Sequence, residues 1–149
     1  MTIASGTGST VIQAASPVAD VTPPVAILFD PPNGATGVVL GHQLAVTFDE
    51  PVVMGALGSI TLRKTNDDSI FHLWSLSSDI GSAPGQVEVV DGNRMVLHTP
   101  INLATATQYY ITYGAGIVQD LAGNPCAILS STTAWSFQTG AATKTSRQR

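Results

Sequence analysis

The chain has 149 residues, 44% of them hydrophobic and 11% charged, against about 25% charged in an ordinary soluble domain. That length holds one core with tails and excludes a second full domain. Six basic against ten acidic residues leave a net charge of −4, so the concentrated basic face that a nucleic-acid ligand requires is excluded.

Residues 1–22 are rich in Ser, Thr, Gly and Ala and read as a flexible or partner-engaging arm. Within it, Thr10-Val11-Ile12-Gln13 suits a strand, given something to pair with. The first twenty residues lack the basic start and continuous apolar stretch of a cleaved signal peptide. Thr22-Pro23-Pro24 is a stiff boundary, because proline fixes φ and disfavours helix before it. A strand over Val25–Phe29 follows, stopped by Asp30-Pro31-Pro32-Asn33-Gly34, and Pro32–Val38 reads as a turn with Asn33 and the glycines at positive φ. In Gln43–Phe48, Leu44, Val46 and Phe48 alternate with Ala45 and Thr47, the period of a half-buried strand.

Ser59–Lys64 turns Ile60 and Leu62 inward, and Ser69–Leu76 is a strand apolar on both faces. Gln86–Val90 and Arg94–His98 flank the turn Asp91-Gly92-Asn93, whose residue types tolerate positive φ. Tyr109, Ile111 and Tyr113 mark the next strand, and Ala134–Gln138 the last, with Trp135 and Phe137 inward. Between them lies Cys126, the single cysteine; it rules out an internal disulfide and a cysteine-rich zinc site, and reads as a small buried apolar group. Residues 141–149 form a second tail, where Lys144, Arg147 and Arg149 read as a solvated end or a contact for an anionic partner. No segment sustains a helical period, and none approaches the roughly 20 apolar residues that cross a bilayer, so membrane insertion is not expected. Seven to eight short strands between Gly, Pro and Asn turns predict an all-β, antiparallel β-sandwich over residues 23–140.

Several segments, in order, carry a resemblance. They are Thr22-Pro23-Pro24, Pro32–Val38, Val46-Thr47-Phe48-Asp49-Glu50-Pro51-Val52, Gly92–Leu97, Asn102-Leu103-Ala104, Thr107-Gln108-Tyr109, Asp120-Leu121-Ala122-Gly123-Asn124 and Trp135–Gly140. Together they resemble the bacterial Ig-like modules of the S-layer-protein (SbsA-like) type across roughly residues 22–140. The resemblance implies an Ig-like, Greek-key sandwich that serves as a spacer, stalk or adhesion scaffold in a cell-surface or secreted protein, and no catalysis. Two departures stand out. The family's proline and glycine before its tyrosine are Thr105 and Ala106 here, and the stretch from Ile70 to Gly85 is longer than usual.

On that topology Tyr109 follows the crossover from Leu103, where an Ig-type tyrosine bonds its hydroxyl back to the crossover backbone. Tyr109, Trp135 and Phe137 are therefore assigned structural roles. The loop after Phe48 and the loop holding Asp120 fall at one end, which would gather Asp49, Glu50, Asp120 and Asn124, with Asp20 nearby, into an oxygen set of the kind calcium prefers. No other cofactor is expected. Phe71, His72 and Trp74 are the candidate partner interface, since an edge strand apolar on both faces invites strand addition or oligomer contact. His42, His72 and His98 are dispersed, and no nucleophile elbow, zinc-helix motif or phosphate loop is present, so no enzyme is expected. The expected partners are neighbouring domains or subunits, a homo-oligomer among them. Alternatives to the surface module are a self-assembling or virion-decorating subunit and a carbohydrate-binding module using Trp74 and Tyr110 as stacking rings.

Overall fold

The computed structural model describes residues 19–141. The segment Thr10–Gln13, the rest of the arm before residue 19 and the tail after residue 141 lie outside the described residues. Eleven strands follow in chain order: β1 (Ala26–Asp30), β2 (Ala35–Val38), β3 (Leu44–Phe48), β4 (Val52–Met54), β5 (Ser59–Lys64), β6 (Ile70–Ser75), β7 (Val87–Val90), β8 (Arg94–Leu97), β9 (Gln108–Tyr113), β10 (Val118–Asp120) and β11 (Ser136–Thr139). They form a five-stranded sheet ordered β2-β11-β9-β5-β6, a four-stranded sheet ordered β1-β3-β8-β7, and a separate β4-β10 pair.

The sandwich is the one the alternation predicts. Leu44, Val46 and Phe48 of β3 and Met95 and Leu97 of β8 face Ile60 and Leu62 of β5, Tyr109 and Ile111 of β9, Trp135 and Phe137, all at most 1% exposed. These side chains make one dry layer, and their removal from water is the main stabilising term. Trp135 is held twice over: its ring stacks on Phe29 at 4.9 Å, and its indole N–H donates to the Pro31 carbonyl at 2.9 Å.

Three short strands exceed the expected seven to eight. The stretch Pro32–Val38 is more than a turn. The reversal is confined to Asn33 and Gly34, with Gly34 at φ 86°, and β2 then pairs in parallel with β11 through Ala35↔Phe137 and Val38↔Thr139. One sheet is therefore mixed rather than antiparallel. Asn33 does not adopt positive φ; its side-chain oxygen accepts the Ser136 N–H at 2.8 Å and pins β2 to β11. β4 and β10 have three residues each, too few for a period to register.

The ends of β3 define two poles. At its Phe48 end, the backbone N–H of Asp49 donates to the Val25 carbonyl at 2.9 Å, and Glu50, Asp120 and Asp20 gather. At its Leu44 end, the Leu40 carbonyl accepts the Leu103 N–H, while Val38 accepts the N–H of Gly140. The described chain thus comes in at one pole and leaves at the other.

Candidate functional site

The acidic pole is built by three separate pieces of chain. β3 ends at Phe48 and throws Asp49 and Glu50 into the turn toward β4, β10 ends at Asp120, and the linker before Pro23 brings Asp20. One carboxylate oxygen each from Asp20, Glu50 and Asp120 lies within 4.8 Å of the others. Asp49 is not part of the group: its Oδ1 accepts the Val25 N–H at 2.9 Å and anchors the start of β1. Asn124 contributes as a donor, its Nδ2 giving hydrogen bonds to the Asp20 carbonyl at 2.8 Å and to Asp120 Oδ2 at 2.9 Å.

Asp120 is buried, and its Oδ1 also accepts the N–H groups of Ala122 and Asn124. The Asn124 amide, followed by those backbone donors, holds its carboxyl below the usual carboxylate range. Glu50 moves the other way. Burial, then the charges of Asp120, Asp20 and Asp49, raise it above its ordinary value. The oxygens that could coordinate a hard cation here are those of Asp20, Glu50 and Asp120, without the expected Asp49.

At the opposite pole the Tyr109 hydroxyl accepts the Ala104 N–H at 2.9 Å, and its ring stacks on Phe137 at 5.6 Å. Burial raises the Tyr109 hydroxyl above its usual value, so it stays neutral across physiological pH. Thr139 reinforces the same crossover, donating to the Ala104 carbonyl and accepting the Thr107 N–H at 2.9 Å. Between them Ala106 sits at φ 46°, a left-handed conformation at the position where the resembling family carries glycine.

The proposed interface of Phe71, His72 and Trp74 does not form an exposed patch. A register shift in the β5–β6 pairing leaves Phe71 unpaired and turns its ring edge-on to Tyr109 at 5.6 Å. Trp74 is fully buried, and its indole N–H donates to the His98 carbonyl at 3.1 Å. The extra residues after β6 clasp back over it: Asp79 Oδ2 accepts the Ser75 N–H, the Asp79 carbonyl accepts the Val87 N–H, and Ile80 bridges to Val87. His72 lies against Trp74 at 4.7 Å, half-buried beside the Gly85 carbonyl.

Tyr110 is only 6% exposed, with its hydroxyl donating to Asp68. Neither Trp74 nor Tyr110 offers a ring face to a sugar. The other two histidines are tied into the sheet face: His42 Nε2 pairs with Asp30 at 2.7 Å and His98 Nε2 with Glu88 at 2.8 Å. Apolar surface is exposed instead along β1, at Val25, Ile27 and Leu28. The sequence carried a signal for this, since both Ile27 and Leu28 belong to an unbroken apolar run that a single buried face cannot absorb.

Among solved structures, the chain resembles the crystal structure of CopC from Methylosinus trichosporium OB3b with a TM-score of 0.53 and 14% identity, covering 80% of this chain and 96% of that one. It also matches the N-terminal part of the bacterial S-layer protein SbsC with a TM-score of 0.44 and 18% identity, over 72% of this chain and 22% of that one. No curated protein matches. The likeness to CopC shows a shared sandwich fold. The family described as bacterial Ig-like domain matches residues 20–139, which takes in both main sheets, the Tyr109 crossover and the Asp120–Asn124 loop, and the chain therefore belongs to the bacterial Ig-like domain family.

Proposed function

We propose that the chain is a non-catalytic structural module of S-layer type in a bacterial cell-surface or secreted protein, where it holds neighbouring domains at a fixed spacing. The observation that carries this reading is the placement of the described ends at opposite poles, Asp20 beside Asn124 and Gly140 beside Val38. Modules joined end to end through such poles extend in a line, and a single close-packed core resists bending within each one. Family membership supports the same reading, since a bacterial Ig-like domain suits a non-catalytic surface module. A tandem of three copies examined by small-angle scattering tests it: the maximum dimension is expected to grow in proportion to copy number, and a compact cluster overturns the spacer role.

Calcium suits the oxygen set at the acidic pole, where it would stiffen the linker through Asp20 against Glu50 and Asp120. Isothermal titration is expected to show heat at millimolar calcium that is lost in Glu50→Gln; silence in the unaltered chain removes calcium from the reading. The exposed apolar residues of β1 favour a second reading, a self-assembling subunit. Light scattering separates the two, because a spacer is monomeric and an assembling subunit gives a defined oligomer.

A further inference from the structure

One side of the sandwich is open. A groove of about 430 Å³ runs between β1 and the segment Cys126–Leu129, and its floor is formed by Phe29, Phe48 and Tyr113. No charged side chain lines it. One wall is the edge of the four-stranded sheet: β1 pairs with β3 on one side, and no other described strand pairs with its free edge. A bulge between Ala26 and Leu28 in that strand leaves Ile27 and Leu28 62% and 57% exposed, just outside the groove. An apolar trough beside an unpaired strand edge is a receptor for an added strand, because the edge supplies backbone hydrogen bonds and the trough takes alternate side chains.

We propose that the occupant is the N-terminal segment of the same chain, Ser9–Ala14. Three observations favour it. The groove wall itself contains Thr22–Ala26, so the segment is tethered to the site by a short stretch of chain. Five residues separate Gln13 from Ala19, enough to span roughly 20 Å. The first nineteen residues carry no charged side chain, matching the uncharged groove. Their one run of three adjacent β-branched residues is Thr10-Val11-Ile12. As a strand, this run sends Val11 and Ile12 to opposite faces. One enters the groove against Phe29 and Tyr113, and the other covers Ile27 and Leu28, so both exposed apolar features are accounted for together. A tether of this length gives an effective concentration that a separate partner rarely matches.

The full-length chain tests this by crosslinking. In a Cys126→Ser background, Ala127→Cys places a thiol on the exposed groove wall, and Val11→Cys or Ile12→Cys places a second in the segment. Mild oxidation followed by non-reducing electrophoresis is expected to give an internally bridged monomer from at least one pair. Its yield should be about ten-fold or more above that of a Ser5→Cys control, in line with a docked rather than a merely tethered segment. Disulfide-linked dimers assign the groove to a second copy and overturn the proposal. Yields equal to the control from both pairs overturn it as well. A second measurement does not depend on oxidation: the double change Val11→Asp, Ile12→Asp in the full chain lowers the unfolding midpoint if the segment is docked, and an unchanged midpoint counts against docking.

Discussion

Two residues at the crossover before β9 set opposite expectations. Tyr109 accepts the Ala104 N–H from inside the core. Tyr109→Phe leaves that donor without its partner, and urea unfolding is expected to show a loss of about 1 kcal/mol. Ala106, exposed in the turn, holds φ at 46° with a Cβ that this conformation disfavours. Ala106→Gly is expected to gain about 1 kcal/mol, since the cost of left-handed backbone for an L-residue lies near that size. A neutral or destabilising result would mean that Ala106 rests there without strain. Tyr109 was legible from its place after Leu103. The strain at Ala106 was not, because alanine gives no sign of φ until the backbone is seen.

Charge acts at the same scale in the acidic pole. The proton on Glu50 binds more tightly in the folded chain, so its contribution is present below the ordinary value of 4.5 and is lost as pH rises through the raised folded value. Asp120 behaves in reverse: its contribution is present above the ordinary value of 3.8 and is lost as pH falls through the lowered folded value. In calcium-free buffer the urea midpoint is therefore expected to rise on mild acidification from pH 7 and to fall on strong acidification. Glu50→Gln removes the first change and leaves the second.

Among the elements, β6 carries the most instructive departure. Strict alternation over Ile70–Leu76 predicts one face in the core and one awaiting a partner. The register shift opposite Leu62 and Arg63 breaks the alternation, turning Phe71 inward along with Trp74. Single-residue slips of this kind leave no mark in a hydrophobic pattern, which is why the strand is plain from the sequence and the inward turn of Phe71 is not. Trp74 then belongs to the core, and Trp74→Ala is expected to cost about 3–5 kcal/mol in urea unfolding. That is a large share of the roughly 5–15 kcal/mol that keeps such a domain folded. Asp79, which draws the following loop across Trp74 through Ser75 and Val87, was not singled out from sequence. A lone aspartate in a serine-rich loop looks like any solvated turn.

At the scale of the whole molecule, the fold was readable because β3, β5, β8 and β9 show their period and turn residues bound the strands. These four strands together supply about half of the buried core. The short β2, β4 and β10 escaped because pairing, not composition, makes them strands. The acidic pole was half readable: the loops after Phe48 and after β10 do meet with Asp20 beside them, yet only the folded backbone shows Asp49 occupied by Val25 and Asn124 acting as a donor.

The opposite placement of the two described ends also fixes how tension would travel. β1 is held at its lower end and β11 at its upper end, so stretching the chain drags each strand lengthwise against its neighbours, β3 on one side and β2 and β9 on the other. The hydrogen bonds of a whole ladder then share the strain at once instead of parting one by one. Single-molecule pulling through the termini should meet a single abrupt rupture, higher than that for pulling across a hairpin of the same domain.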